Sequence, residues 1–242
     1  MDKIYTLALD VMGQSFEILS KKISPPCKVS MSNGYDYRYK EKSIEQAIIQ
    51  KLARLVTGLQ AITSLNKTGF YQEQAALQRM LDEFEEDITF LCFAIIFNDF
   101  TDHHQKYLDY FYEEEFDVPE NSIASKQKRG MVSRQKIRAF IYKDRRQSSS
   151  IEVSRTISKN YSGFLHGASP QIMELYFGNP PKFQLWNTIN SPFRADHMDD
   201  LFNYYYRAIF SFYFSANAFG DDKLCDKIIK FSDEFTITSD RK

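Results

Sequence analysis

Tyr71-Gln-Glu-Gln-Ala-Ala-Leu-Gln-Arg-Met-Leu-Asp-Glu-Phe-Glu-Glu-Asp-Ile-Thr-Phe-Leu-Cys-Phe-Ala-Ile-Ile-Phe97 is the stretch on which the fold turns. Its apolar residues Leu77, Met80, Leu81, Phe84, Ile88, Leu91 and Ile95 recur at steps of three and four, the spacing of one helix face. Over residues 90–97 the run becomes apolar nearly all round, which a helix tolerates only when other helices surround it. The spacing therefore predicts a helix over residues 71–97 at the centre of a bundle. A bilayer span needs about 20 apolar residues, so this run is not expected to cross a membrane.

Working outward, Ser43-Ile44-Glu45-Gln46 is a capping-box pattern with Ser43 as N-cap and Gln46 at the third helical position. It opens a helix through Ile48, Leu52, Leu55, Leu59 and Ile62 that ends before Gly69. Residues 3–23 read as an amphipathic helix through Ile4, Leu7, Val11, Ile18 and Leu19, stopped by Pro25-Pro26. Over residues 28–39 the period falls to two, the mark of a small β-hairpin. A three-residue loop, Ser32-Asn33-Gly34, pairs Met31 with Tyr35 and Val29 with Tyr37 and keeps one face apolar; it is preferred to a two-residue Asn33-Gly34 loop.

Further helices are predicted over 102–116, 132–143, 151–166 and 195–219, with a short terminal one from Asp221. Residues 168–195 carry Pro170, Pro180, Pro181 and Pro192 and are expected to be irregular, with a short strand at 183–186. The expected fold is all-α, an up-down helical bundle with a small β-hairpin ornament, in one domain over residues 1–242.

Composition narrows the class. With 21 Phe and 15 Tyr the chain has ample material for a core, and only 9 Gly and 7 Pro favour long helices over many turns. Cys27, Cys92 and Cys225 are scattered and form no C-x-x-C, so neither a zinc ribbon nor a thioredoxin-type motif is available and a reducing compartment fits. The N-terminus lacks the charged and apolar regions of a secretory signal, so a cytoplasmic location is expected.

Net charge is −1, yet the charges are segregated. From Asp82 to Asp117 there are twelve acidic residues and one basic. Lys126, Lys128, Arg129, Arg134, Lys136, Arg138, Lys143, Arg145 and Arg146 then face a single acid, Asp144. A block of this kind is an electrostatic footprint for phosphate backbones, or else the counterpart of the chain's own acidic segment.

Within the helix over 151–166, Arg155, Lys159, Ser162 and His166 share one polar stripe. His166 sits where an imidazole caps helical carbonyls, and it is the side chain best suited to proton transfer near neutral pH. The string Tyr161-Ser-Gly-Phe-Leu-His166-Gly resembles the final-helix motif of HEPN-like helical proteins of bacterial defence and toxin–antitoxin settings. In that superfamily an Arg lies five to seven residues before a His, and the pair serves metal-independent RNA cleavage. Here positions 159, 160 and 161 are Lys, Asn and Tyr, and Arg155 is about 16 Å along the axis from His166.

The resemblance thus implies a non-catalytic module that binds RNA or a partner protein through residues 126–146 and Arg155. One alternative is a metal-independent ribonuclease using His166, with Lys159 in place of the arginine or with a cation from another helix such as Arg54 or Arg79; another is a structural or oligomeric protein with no ligand.

Asp99, Asp102, His103 and His104 form the one acidic, His-rich cluster, but Glu-x-x-His and His-x-x-x-His pairs are absent and no metal or other cofactor is expected. Ser64/Lys67, Ser125/Lys128 and Ser133/Lys136 match a loose Ser-x-x-Lys spacing, while the Gly-x-Ser-x-Gly and P-loop motifs are missing. The aromatic helix over 201–219 is read as core, with a homodimer surface as the alternative.

Overall fold

The computed structural model describes residues 2–31, 34–117, 123–143, 148–186 and 188–238. Helix α1 (Asp2–Ser20) leads into strands β1 (Cys27–Met31) and β2 (Gly34–Arg38), then α2 (Ile44–Thr68), α3 (Tyr71–Ile96), α4 (Asp102–Phe111), α5 (Arg134–Ile141) and α6 (Ser148–Leu165). A short α7 (Ser169–Ile172), a 3-10 turn (Met173–Leu175), strands β3 (Tyr176–Phe177) and β4 (Lys182–Phe183) and a second 3-10 turn (Thr188–Asn190) follow. The long α8 (Arg194–Ala218) and α9 (Asp222–Thr238) complete the described chain. The architecture is an all-α bundle with a small hairpin near its start. No helix among the described residues is long and apolar enough to cross a membrane.

The central position predicted for residues 71–97 is found. Helix α3 packs against α2, α5, α6 and α8, and Leu81, Ile88, Phe90, Leu91 and Cys92 lie fully buried. Against it α2 presents Leu52, Leu55, Leu59 and Ile62, also fully buried. A methyl group at Gly58 would overlap the Leu81 side chain, so the glycine is what lets these two helices close. Helix α2 opens on the predicted capping box: Ser43 Oγ accepts from the Gln46 N–H at 3.2 Å, and Gln46 Oε1 accepts from the Ser43 N–H at 3.2 Å.

Helix α8 is the second hub, packing against α1, α2, α3 and α9, and Phe202, Tyr204, Tyr205 and Phe212 are buried in these contacts. The face that could have served a homodimer is therefore largely covered by the chain's own helices. In α9, Leu224, Ile228, Phe231 and Phe235 form the buried stripe.

Two local readings need correction. Helix α1 buries Ile4, Ala8, Met12 and Leu19 but leaves Leu7 and Ile18 exposed, so its core-facing stripe is rotated from the one read off the sequence. In the hairpin, Met31 pairs with Gly34, Val29 with Asp36 and Lys28 with Tyr37, a register one residue tighter than expected. Both strands are exposed along nearly their whole length, so no core selects an apolar face. The Lys28 ammonium instead lies 4.2 Å from the centre of the Tyr35 ring.

His104, read from the sequence as part of an acidic His cluster, turns inward from α4 and is fully buried. Its ring stacks on Phe90 with centroids 3.8 Å apart. Nδ1 accepts from the Thr101 N–H at 3.0 Å, which leaves Nε2–H to donate to the Phe90 carbonyl at 3.2 Å. Burial pushes this imidazole from 6.5 down to about 4. Between those values the unfolded chain takes up a proton that the folded chain refuses, so stability falls as pH drops through this window. Wild-type protein should lose up to about 3 kcal/mol more than His104→Gln between pH 6.5 and 4, measured by urea denaturation; equal losses would show that His104 does not titrate this way.

Candidate functional site

The basic segment meets the acidic one. Arg134 reaches Asp87 at 2.6 Å and Arg138 reaches Glu86 at 2.6 Å, so the i, i+4 arginines of α5 grip adjacent acids of α3. Asp87 also accepts from Lys51 and from the Tyr107 hydroxyl, each at 2.8 Å. Arg129 donates to the carbonyls of Tyr110 and Phe111, each at 2.9 Å, and Lys143 pairs with Asp99. Arg129, Arg134 and Arg138 thus spend their charge within the chain, whereas Lys126, Lys128 and Lys136 are exposed. Arg145 and Arg146 lie outside the described residues.

One turn earlier on α3, Arg207 of α8 contacts Asp82 at 2.8 Å and also Glu85, and the Tyr204 hydroxyl donates to Asp82 at 2.9 Å. Burial pushes Glu85 up to about 8 against the pull of Arg207. These buried charges tie α2, α4, α5 and α8 to α3.

On α6, Arg155 and Lys159 are exposed, as is His166 just beyond its last residue, so the polar stripe read from the sequence faces outward. The His166 N–H donates to the Ser162 carbonyl at 3.0 Å, and Gly167 follows at φ +63°. Arg54 lies over the Phe84 ring and Arg79 pairs with Glu83 at 2.8 Å, so both candidate helper cations for His166 have partners of their own.

A different histidine sits in a built site. Helix α2 ends in a Schellman turn: the Phe70 N–H donates to the Leu65 carbonyl at 2.9 Å and the Gly69 N–H to Asn66 at 3.2 Å. Gly69 stands at φ +82°, and a Cβ there would lie 2.6 Å from the Ile189 backbone nitrogen. This turn is pressed against the 3-10 turn 188–190, where Thr188 Oγ1 donates to the Gly69 carbonyl and the Tyr71 hydroxyl to that of Ile189 at 3.4 Å. Between these pieces and the segment 174–186 opens a pocket of about 300 Å³ with His197 in its wall.

His197, only 4% exposed, is held on every side. Its ring lies parallel to Tyr71, with centroids 5.1 Å apart and planes within 3°, and Phe164 meets it edge-on at 5.9 Å. Its carbonyl accepts from Gln74 Nε2 at 2.9 Å, and Gln74 is steadied by Asn66. Nε2 faces Glu174 Oε2 at 3.3 Å, and Gln72 Nε2 donates to the same oxygen at 3.2 Å and to the Gln171 carbonyl at 2.9 Å. An ionised carboxylate only accepts, so Nε2 carries a proton. Nδ1 is buried without a hydrogen-bond partner.

Comparison with known protein families, curated proteins and solved structures finds no match. The site is therefore read from its chemistry alone. A histidine oriented by a carboxylate in the wall of a pocket fixes that carboxylate in place for a bound molecule. Among the described residues no group of three or more His, Cys, Asp or Glu could hold a metal ion. Sequence reasoning missed His197 and Glu174: they are 23 residues apart across an irregular segment, and no local spacing links them.

Proposed function

We propose that this chain is a ligand-binding protein whose recognition site is the pocket beside His197. The observation that carries the reading is a 300 Å³ pocket in whose wall the imidazole of His197, clamped by Tyr71 and Phe164, holds Glu174. Ligand pockets combine apolar walls with a few convergent polar groups. Trp186, the chain's one tryptophan, lines the same pocket and is 84% exposed, so its fluorescence reports directly on occupancy. A small-molecule screen read by this emission should yield saturable binders that weaken about tenfold in His197→Phe, which releases Glu174 from the imidazole that orients it. Binders that are indifferent to His197→Phe would overturn the assignment.

A second reading keeps the RNA or protein partner implied by the HEPN-like resemblance. It is favoured by the outward stripe of Arg155, Lys159 and His166 and by exposed Lys126, Lys128 and Lys136. Reversing charge at Arg155 and Lys159 together should weaken binding of a single-stranded RNA about tenfold in a gel-shift assay. Unchanged affinity would remove this stripe from contention.

A further inference from the structure

The charge and hydrogen-bonding character of the pocket narrow its ligand to one chemical class, given that the pocket is the ligand site proposed above. Among the described residues, the ionisable ones that line it are Glu73, Glu174, Tyr71 and His197, with no lysine or arginine. Arg194 is near enough to act electrostatically on Tyr71 but does not line the pocket. The N-termini of α3 and α8 open nearby, and each carries an acid in its own first turn, Glu73 and Asp196, which offsets the positive end of the helix. An anionic ligand would therefore meet two carboxylates with no lining cation to receive it.

The carboxylate in the wall has acceptor positions to spare. Glu174 takes two donors at Oε2, from Gln72 and His197, whereas an ionised carboxylate has about four acceptor positions. The amide donors in the wall are engaged, Gln72 as described and Gln184 Nε2 with the Phe177 carbonyl at 2.7 Å. Phe70, Tyr71, Phe177 and Trp186 line the same pocket. Aromatic faces beside a carboxylate attract a cation, tryptophan most strongly.

We infer that the pocket binds a protonated organic amine, its N–H groups donated to Glu174 and its charge set against the Tyr71 and Trp186 rings.

Three probes of one shape test this on the full chain: benzylamine as the ammonium, benzyl alcohol as its neutral counterpart and benzoate as the anion. Each is titrated by calorimetry alongside Trp186 emission. Benzylamine should bind at least about tenfold more tightly than benzyl alcohol, with benzoate weakest. Glu174→Gln should remove about tenfold from benzylamine and leave benzyl alcohol unchanged; Glu73→Gln, at an exposed position, gives the same comparison should the first variant melt early. Equal binding of amine and alcohol, or tightest binding of benzoate, would overturn the amine assignment while leaving the pocket a ligand site. Failure of all three probes to move Trp186 emission also overturns it, and the pocket then stands or falls on the wider screen against His197→Phe.

Discussion

Asp87→Ala is expected to destabilise the chain by about 3–5 kcal/mol, more than any other single substitution proposed for this protein. The carboxylate is 4% exposed and receives Lys51 of α2, the Tyr107 hydroxyl of α4 and Arg134 of α5. Its removal leaves two cations and a hydroxyl facing one another in a place that water reaches poorly, so the cost is that of uncompensated buried charge rather than of one lost bond. Tyr107→Phe deletes a single neutral donor and leaves the carboxylate between its two cations, so it should cost about 1 kcal/mol. Urea denaturation of both variants and of the double variant checks the claim. An Asp87→Ala loss no greater than that of Tyr107→Phe would mean that the ion cluster does not fasten α4 and α5 to α3.

Arg207→Leu comes next, at about 3 kcal/mol or more, because it strands Asp82 and Glu85 together. The side chains of both acids are nearly enclosed, at 5% and 6% exposed, while Arg207 is itself 38% exposed, so water entering from its side will soften the loss. What distinguishes this variant is its pH response. In the folded wild type burial already holds Glu85 up at about 8, and without the guanidinium it rises further above its unfolded value of 4.5. Stability that depends on protonated Glu85 is lost as pH rises through its folded pKa, and Arg207 offsets part of that loss. The gap between wild type and Arg207→Leu should therefore narrow from pH 9 to pH 7; a gap of constant size would show that Arg207 contributes through packing alone.

Where local spacing carries the information, the fold is legible in the sequence. The helix over 71–97, the Ser43 cap, the stop at Gly69 and the aromatic helix at 194–218 all follow from periods of three and four and from local hydrogen-bonding groups. The interior acids are harder to read. Asp82, Glu85, Glu86 and Asp87 interrupt the apolar stripe and look like a wet face, yet four helices pack against α3 and all four acids are buried. The legible sign is the pairing of Arg134 with Arg138 one turn apart, matched to Glu86 and Asp87, and the acid-to-base attraction expected as one alternative from the charge blocks is the arrangement found. The hairpin register was out of reach because neither strand face is buried. The His197 site was equally so. It depends on how residues 168–193 fold back onto the α2–α3 turn, a matter of long-range contact that no window of sequence contains.

The clasp between α5 and α3 also sets how the molecule should respond to ionic strength. At 0.15 M the Debye length is about 8 Å, and mobile ions screen only those charges that solvent can reach. Arg138 and Glu86 meet away from solvent, each 9% exposed, and so stay bound in concentrated brine, whereas Lys143–Asp99 and Arg129–Glu115 lie at the surface on either side of them. Added electrolyte should thus fray the arm from both ends toward a fixed middle rather than lift it off as a unit.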